Sequence, residues 1–394
     1  MIDPVLYTWQ PSPLTILSIC CALAASIWLM CSILPKLRLI TTLSRQGSRI
    51  QPSGKPVGVS VIVSTGIHSN RLASLIENIL AQQYPATIEI IIVNTGGEDY
   101  TETAIREIQT RYPQVKNTFV PAGSRNLSRR KLAITLGIKA ATQPVILLTC
   151  ANATPPDNNW ISAMMRHFSD NTADIVIGST TLHGTDSSTT LGVTRSFDAM
   201  LCALRKIPAA AAGNPVGADS ANLAYRRQLF FDQNGFADTL NLNYGDDDIF
   251  VSDIAKDRQL AVELSPQSIL EITEDNPRRI YDLEKTSRSI THSRLRRTPF
   301  IISGFNTFLW WIWLICSVAA IILGLPSILP AAIISCIAVA LLIPILIFWK
   351  KAATALRLSS PCSTMLPLQL LHPIYKMHRK IKMGRNIRNY TWQN

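Results

Sequence analysis

Charge is scarce in this sequence. Only 16% of its 394 residues are Asp, Glu, Lys or Arg, while 47% are hydrophobic. A soluble domain usually carries about 25% charge, so the composition excludes an ordinary soluble protein. Acids are scarcer than bases: 26 Asp and Glu stand against 38 Lys and Arg, a net charge of +12. That balance fits an anionic partner, whether lipid, nucleotide or nucleic acid. Metal-type cysteine spacing is also missing. Cys20, Cys21, Cys31, Cys316 and Cys336 lie in apolar runs, and Cys150, Cys202 and Cys362 are scattered. Neither a zinc site nor a disulfide framework follows from them.

What the chain does have is long apolar stretches. A bilayer-spanning helix takes roughly 20 apolar residues. Pro13 to Leu34, Phe300 to Leu323 and Ile328 to Trp349 each reach that length without a charge, and "GLPS" joins the last two into a hairpin. Lys36, Arg38, Arg45 and Arg49 follow the first run. Arg294, Arg296 and Arg297 precede the second, and Lys350, Lys351 and Arg357 follow the third. Basic flanks face the cytoplasm. The expected layout is an N-terminal transmembrane helix (1–35), a linker (36–56), a cytoplasmic domain (57–297), a transmembrane hairpin (298–349) and a basic interfacial tail (350–394). The expected location is the inner, cytoplasmic membrane. The tail would suit RNA by composition, but its place beside apolar spans favours a lipid surface over nucleic acid. Trp310, Trp311 and Trp313 suit either a membrane interface or helix packing.

Between the spans, strand and helix patterns alternate. Val57–Ser64, Ile88–Asn94, "NTFVPA" and "PVILLT" read as strands. Leu72, Leu75, Ile76, Ile79 and Leu80 form one helical stripe that Pro85 ends, and Ala104, Ile105 and Ile108 another. "DIVIGSTTL" reads as a further strand. Such alternation predicts an α/β domain with a mostly parallel sheet covered on both faces, with ligands at the carboxyl ends of the strands.

The ordered series "QQYP", "RRKLAITLGIKAATQPVILLT", "PPDNNWISAM", "ANLAYRRQLFFDQNGF" and "GDDDIF" resembles membrane-bound family-2 glycosyltransferases, processive and ceramide-glucosyltransferase-like ones included. The resemblance covers roughly residues 57 to 297. It implies a GT-A nucleotide-diphospho-sugar transferase fold, sugar-nucleotide donors and lipid or polymer acceptors. It also implies Mg²⁺ or Mn²⁺ held by an Asp-x-Asp after the fourth strand, and a catalytic base in an acidic segment.

Here the sequence departs from that pattern. The first strand runs into "STGIHSN", with Ile67 and His68 where an Asn-Glu pair is common. The second strand ends in Asn94 and Thr95 rather than two aspartates, with Glu98 and Asp99 at the start of a helix. The metal loop reads Cys150-Ala151-Asn152. Asn is uncharged, and a thiol is a poor ligand for Mg²⁺, so no metal ligand is assigned. The resemblance places Asn94, Arg129, Lys131, Cys150, Asn152 and Arg288 at the nucleotide sugar. Arg125, Arg129, Arg130 and Lys131 together read equally well as a solvated helix start. Asp247, flanked by Asp246 and Asp248, takes the catalytic-base position; helix capping is the competing role. Asp219 faces the acceptor or caps a turn. Two functions follow: a membrane glycosyltransferase acting on a lipid or envelope-glycan acceptor, or an inactive relative that serves as binding or scaffold partner of an active glycosyltransferase.

Overall fold

The structure is a computed structural model. It describes residues 13–47, 54–65, 71–95, 99–120, 127–169, 171–182, 189–323, 328–358, 367–375 and 377. Ile67, His68, Glu98, Arg125 and most of the basic tail lie outside them, as does the side chain of Asp99.

Seven strands form the main sheet, in the order β3-β2-β1-β4-β8-β6-β9. They are β1 (Val59–Ser64), β2 (Ile88–Asn94), β3 (Lys116–Phe119), β4 (Val145–Cys150), β6 (Ile175–Ile177), β8 (Leu223–Arg226) and β9 (Leu260–Val262). The three central strands β2, β1 and β4 are parallel. Alternate residues point to opposite faces, and both faces are dry. Ile62, Ile91, Val93, Ile146 and Leu148 enter one core. Val61, Val63, Ile90, Ile92, Val145 and Leu147 enter the other. This is why these strands read as unbroken apolar runs.

Helices α2 (Leu72–Leu80), α3 (Asp99–Arg111) and α5 (Trp160–Ser169) supply the second core, while α4 (Arg129–Ala140) and α6 (Thr190–Ala211) supply the first. Gly137 lets α4 approach the sheet closely, since a Cβ there would come within 2.8 Å of Val93. The α2 stripe is buried as read except for Leu80, which is 38% exposed on the last turn. The helix stops there, well before Pro85. Ile105 and Ile108 are buried, and Ala104 is half-buried.

Strand β8 runs antiparallel to β4, pairing Leu223 with Leu148. Its entry loop, Asp219 to Asn222, therefore arrives at the carboxyl end of β4. The "DIVIGSTTL" segment is not one strand. It divides into β6 and β7 (Thr180–Leu182), which belong to different sheets. Asn222 is the wedge: it donates to the carbonyls of Ser179 and Ser268, and a Cβ on Gly178 would collide with it. β7 joins a small second sheet, β5-β10-β7, with β5 (Ala153–Thr154) and β10 (Leu270–Ile272).

Three helices carry the apolar runs: α1 (Pro13–Gly47), α10 (Thr298–Leu323) and α11 (Ile328–Ala355). Between them come the short α7 (Arg227–Asp232) and α8 (Ile249–Ile254), and α9 (Pro277–Thr291). Among the described residues, two segments are long and apolar enough to cross a membrane, Pro13–Gln46 and Thr298–Leu323. Much of their apolar surface is exposed, including Leu17, Trp28, Phe308 and Ile315. The third expected run falls on α11, which is helical throughout. A polar clamp ties α1 to α10: Trp28 Nε1 donates to Asn306 Oδ1 at 3.1 Å, and Asn306 Nδ2 donates to Ser32 at 2.8 Å. The expected linker is corrected at its start. Helix α1 continues past Pro35 to Gly47, so residues 36–47 are helical. Trp310 and Trp313 are buried with ring centroids 5.9 Å apart, which is the helix-packing alternative.

Candidate active site

A pocket of about 450 Å³ opens at the carboxyl ends of β1 and β4. Ser64 and Thr65 form one side, and Cys150 and Asn152 the next. Asp219 and Ser220 arrive from the loop before β8. Helix α6 contributes Cys202, Arg205 and Lys206, and α9 contributes Glu284, Ser287 and Arg288. The acidic triplet closes the floor. Gly245, at φ +97°, turns the chain into it, and a Cβ there would strike Ile249 at 2.7 Å.

The three aspartates have different tasks. Asp246 accepts a bond from Arg130 Nε at 2.7 Å, and Arg130 Nη2 reaches Ser220 Oγ at 2.6 Å. Asp248 caps α8 by accepting from the Ile249 N–H at 2.8 Å, and its other oxygen accepts from Thr291 of α9. Capping is thus the role of Asp248, not of the whole triplet. Asp247 accepts no hydrogen bond among the described residues and lines the pocket. Burial pushes its carboxyl up to about 7; Asp246 and Asp248 push the same way, against Lys206 and Arg130. A carboxylate with that basicity can take a proton near neutral pH.

The loop after β4 does not fit a divalent ion, which wants hard oxygen ligands. Burial pushes the Cys150 thiol up to about 11, against the pull of Arg130, so it stays neutral. Asn152 spends its amide N–H on the Thr273 carbonyl at 3.0 Å, which ties the loop to β10. Glu274, an acid the sequence gave no hint of, lines the pocket and is paired with Arg195 at 2.8 Å. Among the described residues no group of three His, Cys, Asp or Glu side chains is arranged to hold a metal ion.

Cations stand in the pocket instead. Arg130, Arg205, Lys206 and Arg288 line it. Lys206 Nζ donates to the Ala218 carbonyl at 2.8 Å and pairs with Asp219 at 3.4 Å. Burial lowers its proton affinity, but Asp219 and Asp247 raise it further. Asp219 also accepts from the Thr180 N–H and hydroxyl, at 3.2 and 3.1 Å. Turn-bracing and pocket-lining therefore coexist at this residue. Arg288 and Arg205 reach Cys202 Sγ at 3.0 and 3.2 Å. Burial alone would raise that thiol; Arg288, Arg205, Lys285 and Lys206 together bring it down to about 7.

The residues expected at the nucleotide sugar therefore separate. Cys150, Asn152 and Arg288 meet in the pocket. Asn94 and Arg129 lie one strand away at the end of β2. Asn94 is buried and its carbonyl accepts from Val120, while Arg129 Nε donates to the Thr95 carbonyl at 2.8 Å. Lys131 is corrected. It is fully buried and donates to the Thr239 carbonyl at 2.7 Å, with Phe236 beneath its ammonium. Arg130, between them, is the pocket cation. Arg294, Arg296 and Arg297 stand exposed and do not line the pocket.

The pocket therefore lies at the carboxyl edge of a mostly parallel sheet, where open α/β folds bind their ligands, and it mixes four cations with the acidic turn. Residues 60–231 match the family model of glycosyl transferase family 2. The fold of the domain is of the GT-A type, as the sequence resemblance implied. Among solved structures, the chain is similar to a mannosyltransferase from Pyrobaculum calidifontis in complex with GDP-Man and Mn²⁺. Identity is 18% and TM-score 0.47, covering 85% of this chain and 98% of that one. It is also similar to glucosyl-3-phosphoglycerate synthase from Mycobacterium tuberculosis in complex with Mn²⁺, UDP and glucosyl-3-phosphoglycerate. There the identity is 12% and TM-score 0.41, covering 65% and 84%. No curated protein sequence matches the chain.

Proposed function

We propose that this protein is a membrane-bound glycosyltransferase that moves a sugar from a nucleotide sugar to a lipid or envelope-glycan hydroxyl without a carboxylate-held metal ion. The observation that carries this reading is Asp247: a carboxyl with no hydrogen bond among the described residues, raised to about 7, in a pocket that Arg130, Arg205, Lys206 and Arg288 also line. Asp247 takes the proton from the acceptor hydroxyl as that oxygen attacks the anomeric carbon. The bond from the anomeric carbon to the diphosphate oxygen breaks, and the nucleoside diphosphate leaves. Arg130, Lys206 and Arg288 offset its charge, the task that a metal serves elsewhere. Two long apolar helices with exposed side chains support membrane attachment and an acceptor delivered from the membrane. Their basic flanks support a cytoplasmic domain.

A second reading has its own observation. The loop after β4 offers a neutral thiol, Cys150, and an uncharged amide, Asn152, whose N–H braces Thr273, which suits a binding or scaffold partner of an active glycosyltransferase. One experiment separates the two. Binding of a sugar-nucleotide panel to the detergent-purified protein is measured with and without EDTA, followed by transfer to lipid extracts. Glycosyl transfer by the parent, lost in Asp247→Asn with binding retained, supports the enzyme. Binding without turnover for any donor supports the partner role, and no binding at all sinks the enzyme reading.

A further inference from the structure

A second cleft, of about 740 Å³, lies away from the pocket between the C-terminal ends of α1 and α11. Arg45 of α1 faces Lys350, Lys351 and the following Arg357 across it. All four are exposed, and none has a carboxylate partner among the described residues. No acid lines the cleft. Arg357 is fixed in place: Nη2 donates to the Pro266 carbonyl at 2.9 Å, and its own carbonyl accepts from Thr181 at 2.8 Å. One turn back along α11 from these lysines, the lining becomes apolar. Leu346 and Ile347 continue the surface of α11 toward its apolar run, and Ile347 is 48% exposed.

A basic collar at the cytoplasmic ends of membrane helices would explain the cations alone. It does not explain a cleft with cations at one end and an aliphatic wall at the other. That pairing matches a molecule with an anionic head and an apolar tail, entering from the side. We infer that the cleft binds one phosphate-bearing membrane lipid, its phosphate among Arg45, Lys350, Lys351 and Arg357 and its first acyl carbons along Leu346 and Ile347. The inference rests on the membrane reading of α1 and α11 but not on glycosyl transfer.

The test uses the full chain in nanodiscs of phosphatidylcholine with graded phosphatidylglycerol, with retained lipids counted by native mass spectrometry. The expected result is one phosphatidylglycerol retained per protein, saturating as its fraction rises. Arg45→Gln with Lys350→Gln and Lys351→Gln should weaken retention at least tenfold. Thr354→Trp, which fills the cleft at an exposed position without altering charge, should weaken it comparably. Retention that grows without saturation, or that survives Thr354→Trp, identifies a diffuse collar and overturns the inference. So does displacement of the lipid by an equal concentration of tailless glycerol phosphate. A protein that enters no nanodisc defeats the membrane reading itself.

Discussion

Arg130 and Asp246 are joined at 2.7 Å on the floor of the pocket, which anchors a guanidinium beside Cys150. The positive charge at this place belongs to the chain. Nucleotide-sugar affinity should therefore be unchanged by EDTA. Arg130→Ala should lower it about tenfold to a hundredfold, the loss of one or two charge-assisted bonds. Arg130→Lys should recover part of that, because a lysine keeps the charge but not the fork that also holds Ser220. Calorimetric titration reads all three, and a strong EDTA effect on the parent would falsify the resident-cation reading.

The loop should be convertible. Cys150→Asp with Asn152→Asp places two hard oxygen ligands where the parent has a neutral thiol and a bonded amide. The double variant should bind Mn²⁺, detectable by electron paramagnetic resonance, while the parent should not. Mn²⁺ binding by the parent at matched concentration would show that other groups already form the site.

Asp247 links activity to stability through pH. Its ordinary value of 3.8 rises to about 7 in the fold. Between those values the folded state holds a proton that the unfolded chain has released, so stability falls as pH rises through that window. Asp247→Asn should melt above the parent at pH 8, by an amount on the order of 1–2 kcal/mol after solvent screening. Below pH 4 the two should coincide. Turnover should change the other way, rising through an apparent pKa near 7 in the parent as the base is freed. Differential scanning fluorimetry and a pH–rate profile test the pair, and a variant that melts lower at pH 8 contradicts it.

A buried ionic knot should hold the C-terminal segment in place. Asp198 of α6 receives Lys285 and Tyr281 of α9 and His372 of the helical residues 367–375. Asp198 lies well below the usual carboxylate range: burial opposes this, but His372 and Lys285 prevail. Removing one member of a buried ionic set typically costs about 3–5 kcal/mol. Asp198→Ala should lose that much in thermal melts. His372→Ala should lose less and should loosen nucleotide binding, because α9 also carries Arg288. Unchanged affinity in His372→Ala would show that α9 stands without the knot.

The sequence carried the inner sheet plainly, because β1, β2 and β4 are buried on both faces and leave no room for polar residues. The place of the acidic triplet was legible too, but through the family resemblance of "GDDDIF" rather than through local pattern. The roles of adjacent cations were not legible. Arg129, Arg130 and Lys131 are neighbours in the chain, yet each helical step turns a side chain by about 100°. One meets Thr95, one the pocket and one the core, and only the seating of α4 decides which. Arg205, Lys206 and Cys202 were equally hidden, since α6 reaches the pocket only through its packing under the sheet. The break at Gly178 depends on Asn222, a residue far along the chain. The helical stretch from Lys36 to Gly47 looked like linker because it is polar, whereas Leu37 and Ile40 are fully buried against the domain.

That packing has a consequence for how substrates meet. Leu29, Leu37 and Ile40 of α1 share one continuous core with Ile62 of the sheet, Phe197 of α6 and Trp349 of α11. The domain has no swivel above its apolar helices. In the proposed membrane setting the catalytic mouth is held at a fixed height and bearing. On the proposed function, an opening so held would not reach for its acceptor, and encounter would become a two-dimensional search in which density in the bilayer plane sets the rate of capture.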